Sequence, residues 1–224
     1  MGRRAPLILQ VRSSYPDGKL TLEANRRRLG ISQATVIPSL MQQTTQDYEI
    51  RLRIHQTDPL RSERLAAWES LPVKIDWQTG FTDFPSGKLR LVGRLDDDDA
   101  VHPEYYSDMI AKAARCRPGT CLDYPAGALY IRGNIGRYSN FGNMFNAVLV
   151  DDGRHAFTVM HNKVASAYRV VSVASRPRWC WVRHDQNMSK HIRSYVTKRA
   201  THPNEFGIDI SALRSWTEKD KSGI

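Results

Sequence analysis

The 224-residue sequence has few cysteines and no long apolar run. Its three cysteines, Cys116, Cys121 and Cys180, are odd in number and form no CxxC pair, which argues against a disulfide framework or a structural zinc site and indicates a reducing compartment. No apolar stretch is long enough to span a bilayer, and the short apolar run near the start is interrupted by Gln10 and Arg12. We therefore expect a cytoplasmic protein without a transmembrane segment or a signal peptide.

Internal repeats and an evident linker are also missing. A chain of this length without such a boundary predicts one globular domain over residues 1–224, with a sizeable core. Residues 1–115 alternate apolar strand-like runs with helix-like segments, whereas residues 116–224 are more irregular. The domain is therefore expected to have two unlike halves.

Charge of one sign is in excess. Lys and Arg number 33 against 23 Asp and Glu, a formal net charge of +10, which predicts attraction to nucleic acid, nucleotide phosphates or an acidic surface. Much of the excess lies in NRRRLG (Asn25–Gly30) and in the basic tail SKHIRSYVTKRATH (Ser189–His202). Each run fits either a solvated helix face or a phosphate-binding surface, and charge alone does not choose between them.

The order of apolar patterns predicts an α/β fold with a mixed sheet flanked by helices. The predicted elements of the first half are strands at Pro6–Ser14, Tyr48–His55, Val73–Trp77 and Lys88–Leu95, and helices at Leu22–Gln43 (broken or double), Asp58–Leu71 and His102–Arg115. The second half is predicted to be irregular and rich in β-structure, with strands in GTCLDYPAGALYIRG, AFTVMHNKV and YRVVSVASR and a short helix at Ile210–Trp216. Strands that alternate with helices imply parallel pairs.

Four consecutive aspartates, Asp96 to Asp99, follow the apolar strand KLRLVGRL and precede the helix that Pro103 opens. Ligands of open α/β sheets bind at the carboxyl ends of the strands. Crowded carboxylates repel one another, and a divalent cation relieves the repulsion; in an extended segment Asp96 and Asp98 share one face. The alternative is a solvated acidic loop that caps the following helix.

Several segments together resemble one family. RLDDDDAVHPEYY, the upstream stretch LEANRRRLGISQATVIPSLMQQTTQDYEIRL, the segment NMFNAVLVDDG followed by TVMH, and the ending PRWCWVRHDQNMS are similar, in this order, to segments of a rhamnosyltransferase-like family of glycosyltransferases. The resemblance covers most of residues 22–189. It implies the GT-A fold, which is related to the Rossmann fold, and transfer of a sugar from a nucleotide-sugar donor. Residues 1–115 would then bind the donor and metal, and residues 116–224 would form the acceptor side.

By this resemblance the aspartates hold Mn(II) or Mg(II) beside the donor diphosphate. Asp98 is the first candidate ligand, Asp96 contributes directly, through water or at the ribose, and Asp99 orients the site. His184 would complete the coordination, and its imidazole favours Mn(II). Arg94 either faces the diphosphate or is a surface residue of its strand.

The residues expected to form the nucleotide pocket match the family pattern less closely than the aspartate segment does. The family places an acidic residue at the end of the second strand, where this chain has His55 and then, three residues later, Asp58, the candidate for a donor contact. Arg12 and Ser13, at the end of the first strand, are further candidates, although Arg12 equally fits a surface charge. The identity of the nucleotide is therefore left open.

If the transferase inverts, a carboxylate is expected to accept the proton of the acceptor hydroxyl. Asp151 lies where the family carries an acidic residue, with Asp152 and Asp185 as rivals. Asp-Gly between apolar runs is also a hairpin signal, so Asp151 equally fits a turn. His161 has a weaker claim as a partner of substrate hydroxyls.

The acceptor is expected to be a saccharide or, given the basic charge, a hydroxymethylated base in DNA. Trp179, Trp181 and Tyr195 would stack on the bases of such a nucleic acid. The rival functions are a metal-dependent nuclease and a non-catalytic nucleic-acid-binding protein. The nuclease lacks an evident lysine or a second acidic cluster with suitable spacing, and it leaves the ordered family segments unexplained.

Overall fold

The computed structural model describes residues 5–14, 20–131, 133–184, 197–200 and 202–217, with the backbone alone at 162, 197–200 and 203. The strands are β1 Leu7–Arg12, β2 Tyr48–Arg53, β3 Lys74–Gln78, β4 Arg90–Asp96, β5 Ala100–Val101, β6 Thr120–Asp123, β7 Ala126–Ile131, β8 Asn134–Ser139, β9 Ala147–Val150, β10 Arg169–Ser172, β11 Trp179–Arg183 and β12 Thr197–Ala200. The helices are α1 Leu22–Ala34, α2 Val36–Met41, α3 Arg61–Glu69, α4 Tyr105–Ala113, α5 Val164–Ala167 and α6 Ile210–Thr217, with 3₁₀ turns at His161–Lys163 and Pro203–Phe206.

The main sheet has seven strands in the order β10-β6-β9-β4-β1-β2-β3. The strand β9 runs antiparallel to both β4 and β6, and the other neighbouring pairs are parallel. Six strands therefore end at the same side of the sheet, which we call the carboxyl edge. This edge is where ligands of open α/β sheets bind.

Alternation of apolar and charged residues explains how the sheet buries its faces. In β2, Tyr48, Ile50 and Leu52 are buried while the residues between them are partly exposed, as the half-buried pattern predicts. On the opposite face, Ile8 and Val92 pack with Val164 of α5. The predicted mixed α/β sheet with flanking helices is therefore observed.

A second sheet of five strands, in the order β12-β8-β7-β11-β5, occupies much of the second half. The two-residue strand β5 follows the aspartate cluster directly and pairs antiparallel with β11, Cys180 opposite Ala100 and Trp179 opposite Val101. This pairing carries the end of β11 to the aspartates. The predicted β-rich second half is confirmed.

Two local predictions have clear outcomes. The segment Leu22–Gln43 forms two consecutive helices, and Pro38 fits near the start of α2, where its missing N–H costs no helical bond. The strand predicted in AFTVMHNKV is wrong: His161–Lys163 is a 3₁₀ turn that leads into α5. Its apolar residues Val159 and Val164 pack on the sheet face rather than alternating along a strand.

Gly127 in β7 is fixed by the packing of Trp179. A Cβ at position 127 would lie 2.2 Å from the Trp179 ring, which is buried and stacked on Phe145. We expect Gly127→Ala to lower the free energy of unfolding by about 3 kcal/mol, the upper end for an overpacked core. Urea denaturation measures this, with Gly80→Ala as the control because a Cβ there meets nothing within 4 Å. Equal stability of the two variants would contradict the packing.

Candidate active site

The four aspartates occupy the carboxyl edge at the end of β4. Asp96 is the last residue of β4 and lies opposite Arg12 of β1, while the next three residues form the turn into β5. Asp97, Asp98 and Asp99 are 0%, 4% and 1% exposed. The expected alternative of a solvated acidic loop is therefore wrong.

Asp97 belongs to a buried ion-pair network and not to the open side of the site. It pairs closely with Arg28 of α1, and Arg64 of α3 lies 3.7 Å away. Arg28 also lies 3.4 Å from Asp98. Arg28 and Arg64 are themselves buried, so they offset part of the negative charge of the aspartates on the side that faces the protein interior.

Three carboxylates remain together at the edge. One oxygen each of Asp96, Asp98 and Asp99 lies within 4.8 Å of the others. Asp99 uses Oδ1 to accept the Val182 N–H at 2.9 Å, while its buried Oδ2 has no hydrogen-bond partner among the described residues. Burial first, and then Asp98 and Asp96, raise the pKa of Asp99 well above its usual value.

His184 joins this group through the pairing of β11 with β5. Its Nε2 lies 2.9 Å from Asp98 Oδ2, and its side chain is buried. A separation of this size fits a hydrogen bond. It also fits two atoms that bind the same cation at right angles, because two such atoms lie about 3 Å apart when each is about 2.1 Å from the cation. Burial opposes ionisation of Asp98, but Arg28 and His184 lower its pKa to about 2.

These residues fit a divalent cation. The oxygen donors suit Mg(II) or Mn(II), the imidazole favours Mn(II), and the orphaned, buried Asp99 Oδ2 is an acceptor that a cation or its bound water would satisfy. Asp96, Asp98 and His184, the predicted ligands, are brought together here.

Two arginines and a serine line the neighbouring part of the carboxyl edge. Arg12 and Arg94 lie 3.6 and 3.9 Å from Asp96 Oδ1, and the Phe157 ring centroid lies 4.3 Å from the Arg94 guanidinium. Only 10% of the Arg94 side chain is exposed, so it is not an ordinary surface residue of β4. Ser13 is fully buried and its hydroxyl has no partner in the described part of the chain.

Asp58 has other partners. Its Oδ1 accepts the Leu60 N–H at 2.9 Å, and its Oδ2 pairs with Arg64 at 2.8 Å. The residue is buried, so both carboxylate oxygens serve the start of α3 and the ion-pair network. The structure thus corrects the expectation of a donor contact at Asp58.

Asp151 lies far from the cluster. Because β9 runs antiparallel, Val150 is opposite Arg90, the first residue of β4, whereas Asp96 is the last. Seven strand residues span about 20 Å. Asp151 is exposed and its carbonyl accepts the Gly87 N–H at 2.8 Å, so this expected catalytic residue belongs to a turn at the opposite edge.

The other candidates for the base do not lie together in the structure. Asp152 is exposed at the same opposite edge, where it pairs with Arg154 at 2.8 Å. The hairpin expected at Asp-Gly is also absent, because β9 pairs with β4 and β6 and not with the following strand β10. Asp185 lies outside the described residues. His161 lies at the carboxyl edge, where its Nδ1 is 3.2 Å from the Gly142 carbonyl oxygen.

Sequence reasoning missed the roles of Arg28, Arg64 and Phe157. The run NRRRLG was expected to be a solvated face or a phosphate-binding surface, but Arg28 is 2% exposed. The available signal was its helical spacing, since Arg28 shares a face with Asn25 and Ser32, which are also buried. Trp179, expected to stack on bases, is buried in the core, and Tyr195 lies outside the described residues.

The mixed sheet, its flanking helices and the acidic carboxyl edge define a GT-A-like α/β protein, which confirms the predicted fold class. Residues 84–195, half of the chain, match the family described as "Putative rhamnosyl transferase". The chain therefore belongs to this family of glycosyltransferases, as the resemblance implied.

Two solved structures are similar to the chain. One is TarS from S. aureus, at 11% identity and a TM-score of 0.45, with 79% of this chain and 36% of that chain covered. The other is described as a "putative nucleotide-diphospho-sugar transferase" from Desulfovibrio desulfuricans G20, at 12% identity and a TM-score of 0.41, with 81% and 83% covered. The chain thus spans about a third of the length of TarS. No curated protein sequence matches the chain significantly.

Within the described ranges, every helix is too short or too polar to cross a membrane.

Proposed function

We propose that this chain transfers a sugar from a nucleoside-diphosphate sugar to a hydroxyl acceptor, with inversion at the anomeric carbon and with Mn(II) or Mg(II) bound at the carboxyl edge. The observation that carries the proposal is the convergence of Asp96, Asp98, Asp99 and His184 beside a buried oxygen without a partner. Family membership favours this function over the nuclease and the nucleic-acid-binding protein.

Asp96, Asp98 and His184 are the proposed ligands of the cation. When bound, a divalent cation supplies positive charge against the diphosphate as it leaves. Asp99 is proposed to position the ligands. It accepts the N–H of Val182 in β11, which holds the end of β11 and therefore His184 beside the aspartates. Arg28 limits the repulsion among the carboxylates from the buried side.

Arg12 and Arg94 are the proposed phosphate contacts, because they lie on the same sheet face as Asp96 and next to it. Ser13 offers an unused, buried hydroxyl at the end of β1, which suits a ribose or phosphate oxygen. The side chains present thus provide cationic contacts for a diphosphate on one side of the aspartates.

A saccharide is the proposed acceptor. The alternative, a hydroxymethylated base in DNA, is supported by the net charge of +10 and by the basic tail, most of which lies outside the described residues. The buried position of Trp179 removes one of its expected stacking residues, and Arg28 is committed to Asp97.

Ligand-induced stabilisation tests the donor site directly. Melting temperatures would be measured with UDP-glucose, GDP-mannose and dTDP-rhamnose, each with and without Mn(II), and with the matching nucleoside monophosphates as controls. We expect one diphosphate series to stabilise the protein only with the metal, by about 2.7 kcal/mol at a ligand concentration of 100 times Kd. Stabilisation by duplex DNA, and by none of the donors, would contradict the proposal.

A further inference from the structure

Two large apolar side chains are exposed in the two segments that a histidine joins at the carboxyl edge. Phe141 is 73% exposed and Met160 is 56% exposed, more than the other large apolar residues of the described chain. The bond from His161 Nδ1 to the Gly142 carbonyl oxygen joins the segments that carry them. We call Phe141, Met160 and His161 the acceptor rim. An exposed phenyl ring at a ligand-binding edge offers an apolar face to a bound molecule.

The loop that carries Phe141 is firmly held. The buried Asn143 donates from Nδ2 to the carbonyl oxygens of Asn140 at 2.7 Å and Tyr124 at 2.9 Å, and its Oδ1 accepts the Phe145 N–H. The Asp123 carboxylate accepts the N–H groups of Gly142 and Asn143. The fold therefore fixes the backbone that carries the exposed phenyl ring, which lowers the entropic cost of ordering this loop on binding.

His161 is held in the tautomer that suits a base. Because a carbonyl oxygen can only accept, the bond to Gly142 places the proton on Nδ1 and leaves the lone pair of the neutral imidazole on Nε2. The residue is half-buried, so its ring is within reach of a bound molecule.

The segment that carries His161 leads into a helix that packs on the same sheet face as the proposed donor contacts. Val164, one turn after His161, packs against Val92 of β4. Alternate residues of a strand share a face, so Arg94 and Asp96 continue the face of Val92 toward the carboxyl edge. The rim is displaced toward β6, because Asp123, the last residue of β6, accepts the N–H groups of Gly142 and Asn143, and β6 is two strands away from β4 and its aspartates.

We infer that the acceptor rim binds a saccharide acceptor and that His161 is the catalytic base that deprotonates it; this inference rests on the proposed function. The phenyl ring of Phe141 packs on the apolar face of a sugar ring, with Met160 beside it. The rim side chains carry no formal charge when His161 is neutral, which suits a saccharide better than a phosphate backbone.

The proposed reaction is a direct displacement at the anomeric carbon, with His161 as the proton acceptor. The acceptor oxygen forms a bond to the anomeric carbon of the donor as its proton passes to Nε2 of His161. The bond from the anomeric carbon to the diphosphate oxygen breaks, and its electron pair leaves with the nucleoside diphosphate. The imidazolium later releases the proton to solvent.

Donor hydrolysis tests the base without a known acceptor, because water needs the same deprotonation. His161→Asn keeps a side-chain N–H for the Gly142 carbonyl and removes the lone pair at Nε2. We expect nucleoside diphosphate release from the active donor of the panel to fall by about 10²- to 10⁴-fold, with donor and Mn(II) stabilisation unchanged. His202→Asn, at an exposed histidine, is the matched control.

Sodium azide separates a base from a structural residue. Azide attacks the anomeric carbon without losing a proton, so it restores release in His161→Asn and yields a glycosyl azide. Wild-type release in His161→Asn, or a loss that azide does not restore, would overturn the assignment. Absence of release by the wild type with every donor would instead reject the proposed function.

Phe141→Ser tests whether the acceptor bound at the rim is a saccharide. With methyl glycosides as acceptors, this variant should raise KM at least tenfold, and Phe141→Tyr, which keeps the aromatic ring, should raise KM less than Phe141→Ser does. Transfer to hydroxymethylcytosine DNA and to none of the methyl glycosides would overturn the saccharide assignment, as would an unchanged KM in Phe141→Ser.

Discussion

Asp98→Asn is expected to abolish metal-dependent donor turnover, with a loss on the order of 10³-fold, while the fold survives. The substitution keeps the shape of the side chain but removes the carboxylate charge 2.9 Å from His184 Nε2. Arg28 keeps its close partner Asp97, so the buried network is not left without an anion. Release of nucleoside diphosphate measures turnover, and titration with Mn(II) measures the site.

A matched carboxylate elsewhere provides the control for this variant. Asp76→Asn changes a partly exposed aspartate of β3, near the far end of the sheet order. It should retain both turnover and the response to Mn(II). Metal-dependent release by Asp98→Asn at the rate of Asp76→Asn would remove Asp98 from the proposed ligands.

Arg28→Met is expected to lower the free energy of unfolding by about 3 to 5 kcal/mol, the cost of removing one partner of a buried ion pair. Asp97 would remain fully buried, with Arg64 at 3.7 Å as its nearest described cation. Urea denaturation measures the change. The effect is large because methionine replaces the volume of arginine but leaves a carboxylate charge without its close partner.

Arg26→Met tests whether the effect depends on position rather than on charge. Arg26 belongs to the same arginine run of α1 but is exposed, so its loss should change stability by less than about 0.5 kcal/mol. Equal stability of the two variants, together with weaker binding of DNA by Arg28→Met, would show that the run serves nucleic acid and not the aspartates.

The strands of the main sheet and the helices between them could be predicted from the sequence, because apolar residues recur with different spacings in strands and in helices. The positions of β1, β2 and β4 follow from their apolar runs, and the carboxyl ends of strands in open α/β sheets bind ligands, which placed the aspartates at a candidate site. The pattern did not show that β1 and β4 are neighbours, with Arg12 opposite Asp96. The antiparallel insertion of β9 was not visible in the pattern. It reverses which end of that strand meets the site, so Asp151 lies at the opposite edge.

The approach of His184 to Asp98 depends on a long-range pairing. The two residues are 86 positions apart, and the two-residue strand β5 that brings β11 to the aspartates is too short to show a period. Only the family resemblance indicated His184. Buried arginines such as Arg28 and Arg64 were missed for a related reason: charged residues are ordinarily exposed, and only their partners, distant in sequence, explain why these two are buried.

The most direct test of the central claim is nucleoside diphosphate release by the purified chain from the three donors, measured with Mn(II) and with EDTA, beside a plasmid-cleavage assay under the same conditions. We expect release from one donor series with Mn(II), loss of release with EDTA, and intact plasmid. Cleavage of the plasmid without release from any donor would contradict it and would assign the aspartates to a nuclease.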